Sequence, residues 1–190
     1  MFRKKKNYLK QIYKMDPETN AFIIEISLES YNEIFNGWDP SPIKRRDLDP
    51  DFLHFIEECS SDIPLNYDLE LQLHLPKGLY NEEKEELTRV GVKNNFSFIA
   101  HFIGKELEQI NRRIIFYIII SFAFLSFGYL STEKVAENII TTTLIEGLSI
   151  GGWVFLWEAF SLFFFSRQEV LGRQKRNRRF QETKINFNYY

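Results

Sequence analysis

Cysteine is nearly absent: Cys59 is the only one in 190 residues. No intramolecular disulfide can form, which excludes a disulfide-stapled fold and fits a soluble part facing a reducing cytosol. The sequence has no phosphate-cradling P-loop and no dinucleotide-binding glycine fingerprint. His54, His74 and His101 lack metal-ligand spacing. The acids Asp47, Asp49, Asp51 and Glu58 echo a calcium loop, but Phe52 stands where the sharp turn needs glycine and Pro50 starts a helix. Arg45 and Arg46 beside these acids suggest ion pairs that fix the loop. With no catalytic constellation, cofactor or metal site to point to, the sequence does not read as an enzyme. Residues 1–14 (MFRKKKNYLKQIYK) are basic and lack the apolar run of a signal peptide. The formal net charge is only −2.

Two long apolar runs are present. Residues 114–130 (IIFYIIISFAFLSFGYL) are seventeen uncharged positions. As a helix they reach about 26 Å, close to the roughly 30 Å hydrocarbon thickness of a bilayer. A polar break, residues 131–138, separates them from a longer run over residues 139–165, which must tilt, bend or overrun the core. A buried hairpin in a soluble protein is the alternative, but so many Phe and Ile exceed what one helical stripe can hide. The expected organisation is a basic N-terminal arm (residues 1–20), a cytosolic α/β domain (21–112), a transmembrane helical hairpin (113–166) and a basic cytosolic tail (167–190).

Flanking charge sets the expected topology. Lys105, Arg112 and Arg113 precede the first span, and Arg167, Arg173, Lys175, Arg176, Arg178 and Arg179 follow the second. The positive-inside rule then puts both termini in the cytoplasm of a multi-pass inner-membrane protein. Arg112, Arg113, Arg167 and Arg173 are the interface cations, and the lipid bilayer is the first partner. The basic arm is either a solvated tail or a contact for anionic head groups, and the charge of the tail is explained first as membrane-flanking, with nucleic acid or lipid as the alternative.

In the soluble part, residues 21–28 and 68–75 alternate as strands, the second with Leu69, Leu71, Leu73 and Leu75 on one face. Asp49-Pro50 opens a helix expected to end near Ser60–Ser61. Two strands alone are marginal, so a third strand or further copies must complete the sheet. Asn81 caps another helix whose stripe runs through Leu87, Val90, Phe98, Phe102, Ile103, Leu107 and Ile110, interrupted near residues 91–95, and which continues into the first span.

The second run has two sides when advanced by about 100° per residue. Thr143, Glu146, Gly147, Gly151 and Glu158 fall on one side with Trp153 and Trp157, while Ile145, Leu148, Gly152, Phe155 and Ala159 fall on the side expected to meet lipid. Gly147 and Gly151 form a small-xxx-small pattern that lets backbones approach. Each Glu at the centre of a span costs roughly 2.5–3.5 kcal/mol. Either the carboxylates snorkel to an interface, Glu158 pairing with Arg167, or several copies turn this side inward around a pore, where a Glu ring favours cations.

The stretches FNGWDPSP (35–42) with Arg46-Asp47-Leu48-Asp49, and EGLSIGGWVFLW (146–157), resemble a family of small, uncharacterised bacterial two-span membrane proteins. Together with DLELQLHLP the resemblance covers residues 21–179. In that pattern the final Trp is followed by Arg-Pro and an acidic residue; here Glu158-Ala159-Phe160-Ser161 follow, so Glu158 stands outside it. The resemblance implies topology. The expectation is therefore an α/β cytosolic domain on an α-helical transmembrane hairpin of two spans, assembled as a homo-oligomer. Such an assembly would be an ion channel or pore gated through a cytosolic sensor domain, and by analogy alone an antiviral, anti-phage effector. The alternative is a membrane-anchored scaffold that recruits a cytosolic regulatory partner.

Overall fold

The computed structural model describes residues 8–132 and 139–190. The start of the basic arm and nearly all of the expected connecting loop lie outside the described residues. The chain divides into two compact units: Met1–His101 with Gln174–Tyr190, and Phe102–Arg173.

The first unit is built on a mixed sheet in the order β1 (Lys14–Met15), β2 (Phe22–Ser27), β3 (Leu69–Leu75), β4 (Lys184–Tyr189). β1 is antiparallel to β2; β2, β3 and β4 run parallel. The two expected strands are β2 and β3, with Ile24 opposite Leu71 and Ile26 opposite Leu73. Their partner β4 comes from the segment expected to be a tail. Residues 167–190 are instead a helix, α4 (Arg167–Glu182), and a strand in which Ile185, Phe187 and Tyr189 alternate with Lys184, Asn186 and Asn188. That alternation matches the β3 pleat, so Ile185 meets Leu71 and Phe187 meets Leu73 on one face. The N-terminal arm is also partly built in. Residues 8–12 are helical, Leu9 is buried, and Tyr13 Oη donates to Asp62 Oδ2 at 2.9 Å.

One face of the sheet is apolar and covered. Phe52 and Ile56 of α1 (Pro50–Asp62), Val92 and Phe96 of α2 (Glu82–Thr132) and Phe180 of α4 join the strand side chains in the core. Phe96 and Phe180 stack at 4.8 Å between ring centres. The other face is polar: Glu25 pairs with Lys14 at 2.8 Å and His74 at 3.3 Å, and Glu70 accepts from Thr19 at 3.0 Å and Asn186 at 3.3 Å. A half-covered sheet of this kind needs the period-2 pattern seen in all three long strands.

Helix starts follow the sequence closely. Asp49 Oδ1 accepts from the Asp51 amide at 2.9 Å, and Asn81 Oδ1 from the Lys84 amide at 2.9 Å. α1 ends at Asp62, and its last carbonyls are served by a buried arginine: Arg179 Nη1 donates to Ile63 O at 3.0 Å and Ser60 O at 3.4 Å. The buried stripe of α2 differs from expectation. It runs through Glu85, Thr88, Val92 and Phe96, while Phe98 and Phe102 are exposed. Glu85 lies on the buried side because its partners there are specific, while the buried Thr88 hydroxyl has no hydrogen-bond partner among the described residues. Tyr189 Oη donates to Glu85 Oε1 at 2.5 Å, and Arg89 Nη2 to Glu85 Oε2 at 2.8 Å. Burial, then the bond to Glu85, pushes the Tyr189 hydroxyl well above its ordinary range. α2 shows no break near residues 91–95; it is one helix of 51 residues.

Two outcomes are expected. Ending the chain after Thr183 leaves β3 as an open apolar edge, so the cooperative thermal transition of the sheet unit, read by circular dichroism, should disappear; an unchanged midpoint would contradict the role of β4. Arg179→Ala takes the donor from the buried Ile63 carbonyl, while Ser60 O keeps the Ile63 amide, and should lower unfolding free energy by about 1–3 kcal/mol in a urea titration.

Candidate functional site

Two helical runs in this chain are long and apolar enough to cross a membrane, and only 17% and 11% of their most apolar windows are buried within the chain. A helix at the centre of a soluble core hides most of such a window. Here Ile115, Phe116, Ile119 and Phe122 of α2, and Ile150, Val154 and Phe160 of α3 (Ile139–Ser161), are exposed. Bare apolar surface of this extent suggests membrane association.

Within the second unit, α2 and α3 pack antiparallel along a definite seam. A Cβ added to Gly128 would overlap Ser149 Oγ, and one added to Gly152 would fall 2.8 Å from Leu125 Cγ. Phe155 meets Tyr117 at 5.8 Å and Phe124 at 5.7 Å between ring centres. Gly152 and Ala159 are buried, as is Ser121 across the seam. Small residues from both helices let the backbones close up where lipid tails offer no hydrophobic drive between them.

This seam uses mainly the side of α3 expected to meet lipid, with Ser149 added from its border. The side holding Thr143, Glu146, Gly147 and Glu158 points the other way, and all four residues are exposed. Gly147 has nothing within 4 Å of a built Cβ, and Gly151 only touches the Phe124 ring at 3.6 Å. The spacing that carries the seam is Ile145, Gly152, Ala159, one residue every seven, with Ser149 between. The glycine pair at 147 and 151 drew attention from it. Thr143 Oγ1 donates back to Ile139 O at 2.9 Å.

The flanking cations are placed as follows. Arg112 pairs with Glu108 at 2.5 Å, and Arg113 is exposed. Arg167 Nε donates to Asn111 Oδ1 at 3.2 Å and lies 5.5 Å above the Phe163 ring. Arg173 Nη2 reaches Glu106 at 2.6 Å across the two helices. Arg167 is thus turned to Asn111, and among the described residues neither Glu146 nor Glu158 forms an ion pair. A π-helical turn, Leu162–Ser166, joins α3 to α4 and shifts the helical phase at this end.

The exposed side of α3 therefore carries two carboxylates about 18 Å apart along the helix, a hydroxyl and small residues, with Ile150 and Val154 between the carboxylates and Trp153 and Trp157 at the flank. Such a surface can hydrate, pack on a like surface, or attract cations. Comparisons with family models, with curated proteins and with solved structures find no match for this chain.

Gly152→Leu should spread α2 from α3 and lower the thermal stability of the detergent-solubilised chain. An unchanged midpoint would count against the seam described above.

Proposed function

We propose that α2 and α3 cross a bilayer as a hairpin and that copies of the chain associate through the Thr143–Glu146–Gly147–Glu158 side of α3 to form a cation-conducting pore in a bacterial inner membrane. The observation that carries this reading is the division of labour on α3: its intramolecular seam lies on one side, and both carboxylates lie on the opposite one. Ionised groups facing acyl chains would each cost roughly 2.5–3.5 kcal/mol, so they belong against water or protein. A two-helix hairpin encloses nothing by itself, and a closed ring of copies supplies both shelter and a lumen. Glu146 then lies nearer the middle of the span, and Glu158 nearer the end marked by Arg167. Flanking cations put both termini and the sheet unit in the cytoplasm, where that unit would act as the sensor. An antiviral role remains an analogy to small membrane effectors.

A second reading is a membrane-anchored scaffold. Trp38 is 95% exposed, in the loop between β2 and α1. A large aromatic left in water suits a cytosolic partner protein.

The full chain reconstituted in potassium-loaded liposomes should release potassium, and Glu146→Gln should slow that release severalfold without changing its yield in the membrane. Release that is absent, or equal in the Gln variant, would defeat the pore reading and leave the scaffold.

A further inference from the structure

A cavity of about 570 Å³ opens on the first unit, between the loop before α1 and the face of α2, bordered by Lys44, Arg45, Arg46, Asn94, Ser97 and Phe98. Cavities of roughly 300–1,000 Å³ are the size that holds small molecules. The backbone of the basic loop is fixed from several sides. Its tight turn, Ile43–Arg45, rests directly on α2 at Gly91, where an added Cβ would fall 2.6 Å from Ile43 O and 3.0 Å from the Phe35 ring. Asn94 Nδ2 donates to Lys44 O at 2.8 Å. Asp39 accepts from the Ser41 amide at 2.9 Å and the Asp47 amide at 2.8 Å. These amides, that of Asp47 foremost, hold the Asp39 carboxyl below the usual carboxylate range, so it keeps its charge and its grip at neutral pH.

The side chains of this loop are spent differently from its backbone. Arg46 Nε donates to Ser41 O at 2.9 Å, which aligns the guanidinium. Among the described residues Lys44 and Arg45 make no ion pair or hydrogen bond through their side chains, and the ion pairs expected with the neighbouring acids do not form. Asp47 borders the same cavity, so its lining carries three cations and one carboxylate. Three like charges held side by side on a fixed loop repel one another, and a multivalent anion removes that repulsion. Guanidinium and ammonium groups together match phosphate oxygens, and the Asn94 and Ser97 side chains add polar contacts at the rim.

We infer that this cavity binds a phosphorylated small ligand, its phosphate group held by Lys44 and Arg45 and its remainder lying along Phe98. The phosphate has two sources, a soluble metabolite or a lipid head group. The site does not depend on the pore reading, since it is built wholly within the first unit.

The test uses the full chain in neutral detergent and isothermal titration calorimetry. Three probes are titrated: AMP, inorganic pyrophosphate, and dihexanoyl phosphatidylglycerol below its micellar concentration, with dihexanoyl phosphatidylcholine as the control. Saturable binding of AMP or pyrophosphate assigns a soluble ligand, and saturable binding of the phosphatidylglycerol alone assigns a head group. In either case Lys44→Ala with Arg45→Ala should weaken binding at least about tenfold, the loss expected for charge-assisted bonds. The melting temperature should stay put, because neither side chain supports the fold. Binding by none of the probes, or binding unchanged in the double variant, overturns the inference. Gly91→Val provides a second check: by lifting the loop from α2 it should abolish binding while leaving Lys44 and Arg45 in place.

Discussion

Glu146 and Glu158 sit opposite the seam that joins α2 to α3, and this placement constrains the whole second unit. A helix can turn only one side to one neighbour. The seam consumes Ile145, Ser149, Gly152, Phe155 and Ala159, and it uses small residues to do so. Among the described residues nothing within the hairpin is left to shelter the carboxylates. In a bilayer the cost of leaving them against hydrocarbon is several kcal/mol, comparable to a large part of a domain's net stability. Water or another protein surface must therefore meet that side. The pore reading is the arrangement that supplies both with one kind of subunit.

The first unit is closed by a strand that follows both long helices in the sequence. Glu70 pairs with Lys184, and Leu75 with Tyr189, so the sheet is completed only after both long helices have been synthesised. Such pairing is non-local and entropically late. Its anchors are specific: Tyr189 donates to Glu85, Arg89 Nε donates to Ile185 O at 3.1 Å, and Tyr31 and Tyr189 share a hydrogen bond at 2.7 Å. The residue ranges of α2 and α4 both include a boundary at which the chain divides.

Much of this was legible in the residues, and the failures have physical causes. Strict alternation in AFIIEISL and DLELQLHL gave β2 and β3, and Asp49-Pro50 and Asn81 gave two helix starts, because each signal is local. β4 was passed over although Ile185, Phe187 and Tyr189 alternate just as clearly. The arginines before it read as membrane-flanking charge, and the strand's partner lies more than a hundred positions upstream. The buried stripe of α2 differs from the expected one because it carries Glu85, bonded to a tyrosine, and Gly91, set against a loop carbonyl, neither of which hydropathy signals. On α3 the seam takes Ile145, Gly152, Phe155 and Ala159 from the side expected to meet lipid and Ser149 from the side expected to be polar. The glycine pair at 147 and 151 is the more familiar pattern, while Gly152 finds its match, Leu125, on another helix. The basic cavity left no sequence signal beyond Lys44-Arg45-Arg46, since Asn94, Ser97 and Phe98 come from fifty residues downstream.

The most direct test asks which side of α3 meets another copy. In a Cys59→Ser background, single cysteines at Ile150 and at Ala159 are oxidised in native membranes, and the products are separated without reductant. Ile150→Cys should form covalent dimers, and Ala159→Cys, turned into the seam, should not. A chain that stays monomeric with cysteine at position 150, or that dimerises only through position 159, would contradict the placement of the carboxylate side at a contact between copies.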